Sequence, residues 1–167
     1  MEGLLLAAAA IIVTFNSEAV IGPCLDCLAK MAPDVKPIIV DNASTDGTLE
    51  RVRERAHVHA IANPENRGFA AAVNQGISAC EAEFLLLLNP DVNLLTGVDA
   101  LIDASQKYGL AAGKLVDLNG CAQTGFTIRR FPTPASLVLE LFGINRLWPS
   151  NPVNRRYRYQ DRNLDPL

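Results

Sequence analysis

The side chains able to do chemistry gather in four short polar stretches, each placed directly after an apolar run. They are Thr14-Phe15-Asn16, Asp41-Asn42-Ala43-Ser44-Thr45-Asp46-Gly47, Asn63-Pro64-Glu65-Asn66-Arg67-Gly68 and Asn89-Pro90-Asp91. Asn16, Asp41, Asn66 and Asp91 recur at a spacing of 25 residues, which sets equivalent side chains at equivalent heights in successive units. If the apolar runs are parallel strands, all four stretches lie at strand carboxyl ends, the edge where ligands of open α/β sheets bind. Together they would build one polar crevice. Taken singly, Asn, Asp, Ser and Gly are also the residues of turns and helix caps; the succession of four is what points to a site.

Several chemistries lack their residues. No G-x-G-x-x-G follows the first apolar run and no G-x-x-x-x-G-K-[ST] occurs, so the phosphate cradles of dinucleotide and P-loop proteins are missing. There is no G-x-S-x-G nucleophile elbow. The two histidines, His57 and His59, flank one strand start, which disfavours a Ser-His-Asp triad and places both at the surface or a strand edge.

The elements needed to position these loops are legible as short apolar runs alternating with helical patterns, the mark of βαβ units and a parallel sheet. The pattern predicts strands at Ala8–Thr14, Pro37–Val40, Val58–Ala62, Phe84–Leu88 and Leu110–Val116. Helices are predicted at Ser17–Met31, Gly47–Ala56, Gly68–Cys80 and Gly97–Tyr108. Pro23 leaves the start of the first helix open, because proline removes an internal hydrogen bond. After Val116, Asp117-Leu118-Asn119-Gly120 reads as a hairpin turn returning through an antiparallel strand, Cys121–Ile128. A second section begins near Arg129: an apolar helical stripe over Ala135–Leu147, then a polar, Pro- and Arg-bearing stretch from Pro149 that reads as weakly structured. The expected division is therefore an α/β ligand-binding domain over residues 1–128 and a basic segment with one amphipathic helix over 129–167.

Composition agrees with a single ordinary globular domain. Of 167 residues, 49% are hydrophobic and 20% charged, enough to bury a core without disulfides or metals. The net charge of −3 argues against a nucleic-acid binder. The charge is uneven: eight basic and fifteen acidic residues up to position 120 (−7), then seven basic and three acidic (+4), with Arg155, Arg156, Arg158 and Arg162 in a short run. Cys24 and Cys27 form a C-x-x-C inside a helical pattern and Cys80 and Cys121 stand alone, so all four are expected to be reduced, buried small hydrophobes. Met1 to Val13 lacks the basic start of a signal peptide and its apolar run is too short to span a bilayer, which predicts a buried first strand and a cytoplasmic protein.

Five ordered motifs carry a resemblance. Ile11-Ile12-Val13-Thr14-Phe15-Asn16-Ser17, Val40 to Gly47, Asn66-Arg67-Gly68-Phe69-Ala70, Leu87-Leu88-Asn89-Pro90-Asp91 and Arg129-Arg130-Phe131-Pro132-Thr133 resemble the successive motifs of family two glycosyltransferases, closest to the rhamnosyltransferase-like branch. The resemblance implies a GT-A fold, an α/β architecture with a mainly parallel sheet flanked by helices. It also implies inverting transfer of a sugar from a nucleoside-diphosphate donor, a dTDP- or UDP-sugar, to a cell-envelope saccharide or lipid-linked acceptor. By similarity, Thr14, Asn16, Asn42, Ser44 and Asn89 line the nucleotide-sugar site, Asp41 contacts the base or ribose, and Asn66 and Gly68 border the donor. Gly68 suits that place because a residue without Cβ allows close backbone approach.

Asp91 occupies the last position of the family's D-x-D-like metal motif. A divalent Mg²⁺ or Mn²⁺ there would offset the charge developing on the leaving diphosphate, and one carboxylate with phosphates and water can hold Mg²⁺. Asn89 stands where the motif has its first Asp, which predicts weak metal binding without nucleotide. An inverting transfer also needs a general base. None of Glu140, Asp161 or Asp165 sits in a recognisable base motif, so the chain reads as a donor-binding half, with an inactive nucleotide-sugar-binding partner as the alternative. An incomplete sheet edge predicts a homo-oligomer, and the apolar stripe 137–148 beside the arginine run either packs against the sheet or an acceptor-binding part, with the arginines solvated, or makes peripheral contact with the inner membrane face.

Overall fold

The computed structural model describes residues 8–117, 119–123 and 129–158. These divide by packing into two compact units, Met1–Lys107 and Tyr108–Leu167; the division expected at position 128 lies inside the second.

The first unit is a four-stranded parallel sheet of β1 (Ala8–Thr14), β2 (Lys36–Asp41), β3 (His59–Ala62) and β4 (Phe84–Leu87), in the order β3-β2-β1-β4. β1 is central and therefore apolar on both faces. Its Ala8, Ala10 and Ile12 pack with Ile39 against Ile21, Cys24, Leu25 and Leu28 of α1 (Glu18–Met31), with Val52 of α2 (Thr48–Arg53) and Ile102 of α4 (Asp99–Tyr108) in the same cluster. Ala9, Ile11 and Ile38 point the other way, toward α3 (Phe69–Ser78). Gly76 of α3 is fixed by this contact: a Cβ there would lie 2.7 Å from Ile11 Cγ2 and 3.2 Å from Val40 Cγ2.

α1 begins at Glu18 and runs through Pro23. The predicted fifth strand, Leu110–Val116, does not form; only an isolated antiparallel bridge joins Val116 to Ala122. The reason is local, since Ala111, Ala112 and Gly113 are weak strand formers and Leu110 is 84% exposed, so no face is buried. The turn survives, with the Gly120 amide donating to the Asp117 carbonyl. Most of the predicted returning strand, residues 124–128, lies outside the described residues, as does Leu118.

In the second unit the single predicted helix over 135–147 is two. α5 (Pro134–Leu141) opens on a capping box between Thr133 and Ser136, and Gly143, in the left-handed region at φ 68°, separates it from α6 (Ile144–Leu147). The stretch read as weakly structured contains a further helix, α7 (Pro152–Tyr157), capped by the Asn151 side chain accepting from the Asn154 amide, with Pro152 at its first position. Among the described residues no helix is long and apolar enough to cross a membrane.

Candidate nucleotide-sugar site

The carboxyl ends of β1 and β2 are joined by buried side chains. Thr14 and Asp41 are register partners, and the Thr14 hydroxyl donates to Asp41 Oδ1 at 2.7 Å. The Ser44 hydroxyl donates to the same oxygen, and the Ser44 amide to Oδ2 at 2.9 Å. Asp41 is 1% exposed, so its carboxylate is spent on three protein donors. Ala43, between them, is held at φ 63°, a left-handed conformation that this turn imposes on a residue with a Cβ.

A second set of bonds ties the β1–α1 loop to the β2–α2 loop. The Asn16 amide donates to Ser44 Oγ (2.8 Å) and Asn16 Oδ1 accepts from the Thr45 amide (2.9 Å). Ser17 makes no side-chain cap for α1. Asp46 of the neighbouring loop does that work, accepting from the Glu18 amide at 3.1 Å while its other oxygen accepts from the Thr48 amide and hydroxyl at the start of α2. These bonds, the Thr48 hydroxyl first, hold the Asp46 carboxyl below the usual range. The third loop is anchored by buried amides: Asn63 and Gln75 exchange two 3.0 Å bonds, Asn63 donates to Asn42, and Asn42 donates to the Gly68 carbonyl (3.3 Å). Gly68, at φ 81° and ψ 161°, occupies backbone space that side chains avoid, with open space where a Cβ would stand.

These loops surround a cleft of about 450 Å³ whose wall contains Thr14, Asn16, Asn42, Asn66, Asn89 and Asp91. Six of the nine predicted site residues thus meet there. Asp41, Ser44 and Gly68 are not in the wall; they hold the residues that are. Sequence reading missed Phe15 and Phe69, 52% and 58% exposed, which also line the cleft. Their signal was an aromatic set inside a polar stretch, where nothing apolar is needed for packing. Behind the cleft lies Cys24, fully buried, donating weakly to the Asn89 carbonyl at 3.7 Å. Burial, then Cys27, then Asp91 push its thiol up to about 11. Of the four expected buried thiols it alone is fully so; Cys27 and Cys80 are half-buried and Cys121 is exposed. His57 and His59 are exposed, as expected.

Asp91 is exposed and is the one carboxylate in the cleft wall. Among the described residues no group of three or more His, Cys, Asp or Glu is arranged around a metal position. The hard oxygens of Asp91 and Asn89 nevertheless suit Mg²⁺ or Mn²⁺ sharing its coordination with phosphate and water. A slightly larger cavity, about 490 Å³, opens at the amino end of the sheet beside Ala8, Val35 and Val98. That is the end away from the polar loops, and the cleft at the carboxyl edge is the better candidate.

Comparison with known proteins places this arrangement. The model of Glycosyl transferase family 2 matches residues 9–121, which span all four loops. The chain belongs to that family. Among its relatives, the N-acetylglucosaminyl-diphospho-decaprenol L-rhamnosyltransferase of Mycobacterium tuberculosis is 29% identical over 142 residues, 75% of this chain and 45% of that protein. A PGL/p-HBAD biosynthesis glycosyltransferase of Mycobacterium bovis is 30% identical over 119 residues, 64% of this chain and 45% of that one. The chain therefore spans less than half the length of the curated relatives it matches. Among solved structures, S. aureus TarS 1-349 in complex with UDP superimposes with a TM-score of 0.55 at 26% identity, covering 72% of this chain and 39% of that one. The mannosyltransferase PcManGT of Pyrobaculum calidifontis, in complex with GDP-Man and Mn²⁺, gives a TM-score of 0.53 at 24% identity over 56% of this chain and 30% of its own. The family's sheet is GT-A in type: mainly parallel, four-stranded in this chain and flanked by helices.

Proposed function

We propose that this chain binds the donor of an inverting glycosyltransferase, a dTDP- or UDP-sugar of rhamnose type, for transfer to a cell-envelope saccharide or lipid-linked acceptor. The observation that carries the reading is the convergence of Asn16, Asn42, Asn66, Asn89 and Asp91, from four separate loops, on one cleft with two exposed aromatics. Phe15 and Phe69 offer apolar faces to a planar base, and the amides of Asn16, Asn42 and Asn66 offer both donors and acceptors to base and ribose edges. Asp41, buried and outside the cleft wall, acts through the loops it locks, with Thr14, a wall residue, as its partner.

Asp91, with Asn89 beside it, would hold a divalent cation against the donor diphosphate. The cation supplies charge stabilisation for the departing nucleotide. In the transfer itself an acceptor hydroxyl oxygen bonds to the anomeric carbon as the carbon–oxygen bond to diphosphate breaks. The electron pair leaves with the nucleotide and the hydroxyl proton goes to a base.

One observation favours a second reading, a nucleotide-sugar-binding module without turnover: Asp91 is the single carboxylate among the residues lining the cleft, and the metal role occupies it. Calorimetry of UDP and dTDP, each with and without Mn²⁺ or Mg²⁺, tests both readings when paired with a transfer assay. Metal-enhanced binding weakened by Asp91→Ala is expected. A folded chain that binds neither nucleotide with either metal overturns the donor site; binding with no transfer to any acceptor selects the module.

A further inference from the structure

The second unit is polar inside and apolar outside. The residues it buries fully among those described are Ser136, Asn151 and Asn154, held by the Thr133–Ser136 box and by bonds of Asn151 and Asn154 to the Trp148 and Pro149 carbonyls. Its large apolar side chains face solvent: Leu141 is 82% exposed, Phe142 71%, Leu147 86% and Trp148 56%. Leu137 and Leu141, and Val138 and Phe142, are spaced four apart, so they form one ridge along α5; α6 packs on α5, and its Leu147 and the following Trp148 are exposed too.

Charge decides what covers this ridge. Residues 129–158 hold six arginines against the single Glu140, a net +5 in a chain whose overall charge is −3. Arg146, Arg155 and Arg156 are exposed. A second copy meeting this face with the same face would set like charge against like, which disfavours a symmetric dimer through the ridge. An anionic bilayer meets both demands at one depth, with acyl chains for the ridge and phosphates for the guanidinium groups. Trp148 and Tyr157 are of the residue types that favour the headgroup level.

We infer that the α5–α7 region docks peripherally on an anionic membrane surface, with the Leu141–Phe142 ridge entering the headgroup boundary and Arg146, Arg155 and Arg156 facing lipid phosphates. This does not depend on the donor-site reading: nucleotide binding tests that one and vesicle binding tests this one.

The experiment is flotation of the full chain with vesicles of phosphatidylcholine containing phosphatidylglycerol, against phosphatidylcholine alone. Trp148 is the sole tryptophan, so its emission reports insertion directly. Binding to the anionic vesicles with a blue-shifted emission is expected, weakening as salt is raised. The exposed pair Arg155→Glu with Arg156→Glu should lower vesicle affinity on the order of tenfold or more, and Leu141→Ser with Phe142→Ser should remove the blue shift. Circular dichroism confirms that each variant is folded. A folded chain that ignores anionic vesicles overturns the inference, as does binding that neither pair of substitutions alters. So does a dimer in sedimentation that Leu141→Ser with Phe142→Ser dissociates while vesicles go unbound, which would give the ridge to a second copy.

Discussion

The Thr14 hydroxyl donates to the Asp41 carboxylate between register partners at the carboxyl ends of β1 and β2, at 2.7 Å and out of contact with water. Ser44 adds its hydroxyl and its amide to the same carboxylate, and Asn16 hangs from Ser44. One buried charge thereby sets the height of two loops of the cleft.

Asp41→Asn keeps the shape but exchanges one acceptor oxygen for an NH₂ donor, so either the Ser44 amide faces a donor or the Thr14 and Ser44 hydroxyls must turn to accept and lose the acceptor they now share. Removing a partner of a buried hydrogen bond costs about 1–3 kcal/mol. A fall of that size in unfolding free energy is expected by urea titration, together with weaker UDP binding. An unchanged urea midpoint would mean that the carboxylate does not organise the loops.

Asp91 lines the cleft whose loops Asp41 braces, and it is exposed rather than buried. Asp91→Ala should therefore leave stability within about 0.5 kcal/mol of the parent, as surface changes usually do. The Mn²⁺-dependent part of nucleotide affinity should be lost. Parallel urea titration and calorimetry separate the two, and a variant that binds nucleotide with undiminished metal enhancement would move the cation elsewhere.

The difference between these two carboxylates is what the sequence could not convey. Both follow an apolar run at the same spacing, yet Asp41 is the last residue of a central strand and Asp91 lies beyond the end of an edge strand. β1, β2 and the helix between them were readable because their apolar periodicity is strong and both strands are buried on two faces. Leu110–Val116 shows the limit, since an apolar run makes a strand only when another strand lies beside it. Capping by Asp46 of a helix 28 residues away in sequence is likewise a tertiary fact. α7 was readable and missed, because Asn151 followed by Pro152 is a helix start. So was the break at Gly143, where a left-handed residue interrupts an otherwise continuous stripe.

Gly76 makes the packing of α3 on the sheet testable. Its missing Cβ would stand 2.7 Å from Ile11 Cγ2, an atom attached at the branch point of a stiff side chain in the central strand. Relief requires either α3 or β1 to move, so Gly76→Ala should destabilise by about 1–3 kcal/mol, the range for overpacked cores, despite its better helix propensity. Chemical denaturation measures it; a stabilised variant would show that α3 can shift outward at no cost.

Cys24 gives the molecule an alkaline limit. Its thiol, sealed between α1 and the Asn89 carbonyl, holds its proton to about 11, against 9.0 for an ordinary thiol. The folded value is raised, so unfolding releases a proton between those values. The thiol's contribution to stability is full below about 9 and falls as pH rises toward 11. Urea midpoints of the parent chain should decline more steeply over that window than those of Cys24→Ala, which carries a constant packing deficit but no titrating thiol. Alkylation supplies the direct check. At pH 8 in the native state the exposed Cys121 should react first and Cys24 last, with Cys24 becoming reactive once urea unfolds the chain. Native Cys24 modified as fast as Cys121 would show that the packing behind the cleft opens to solvent.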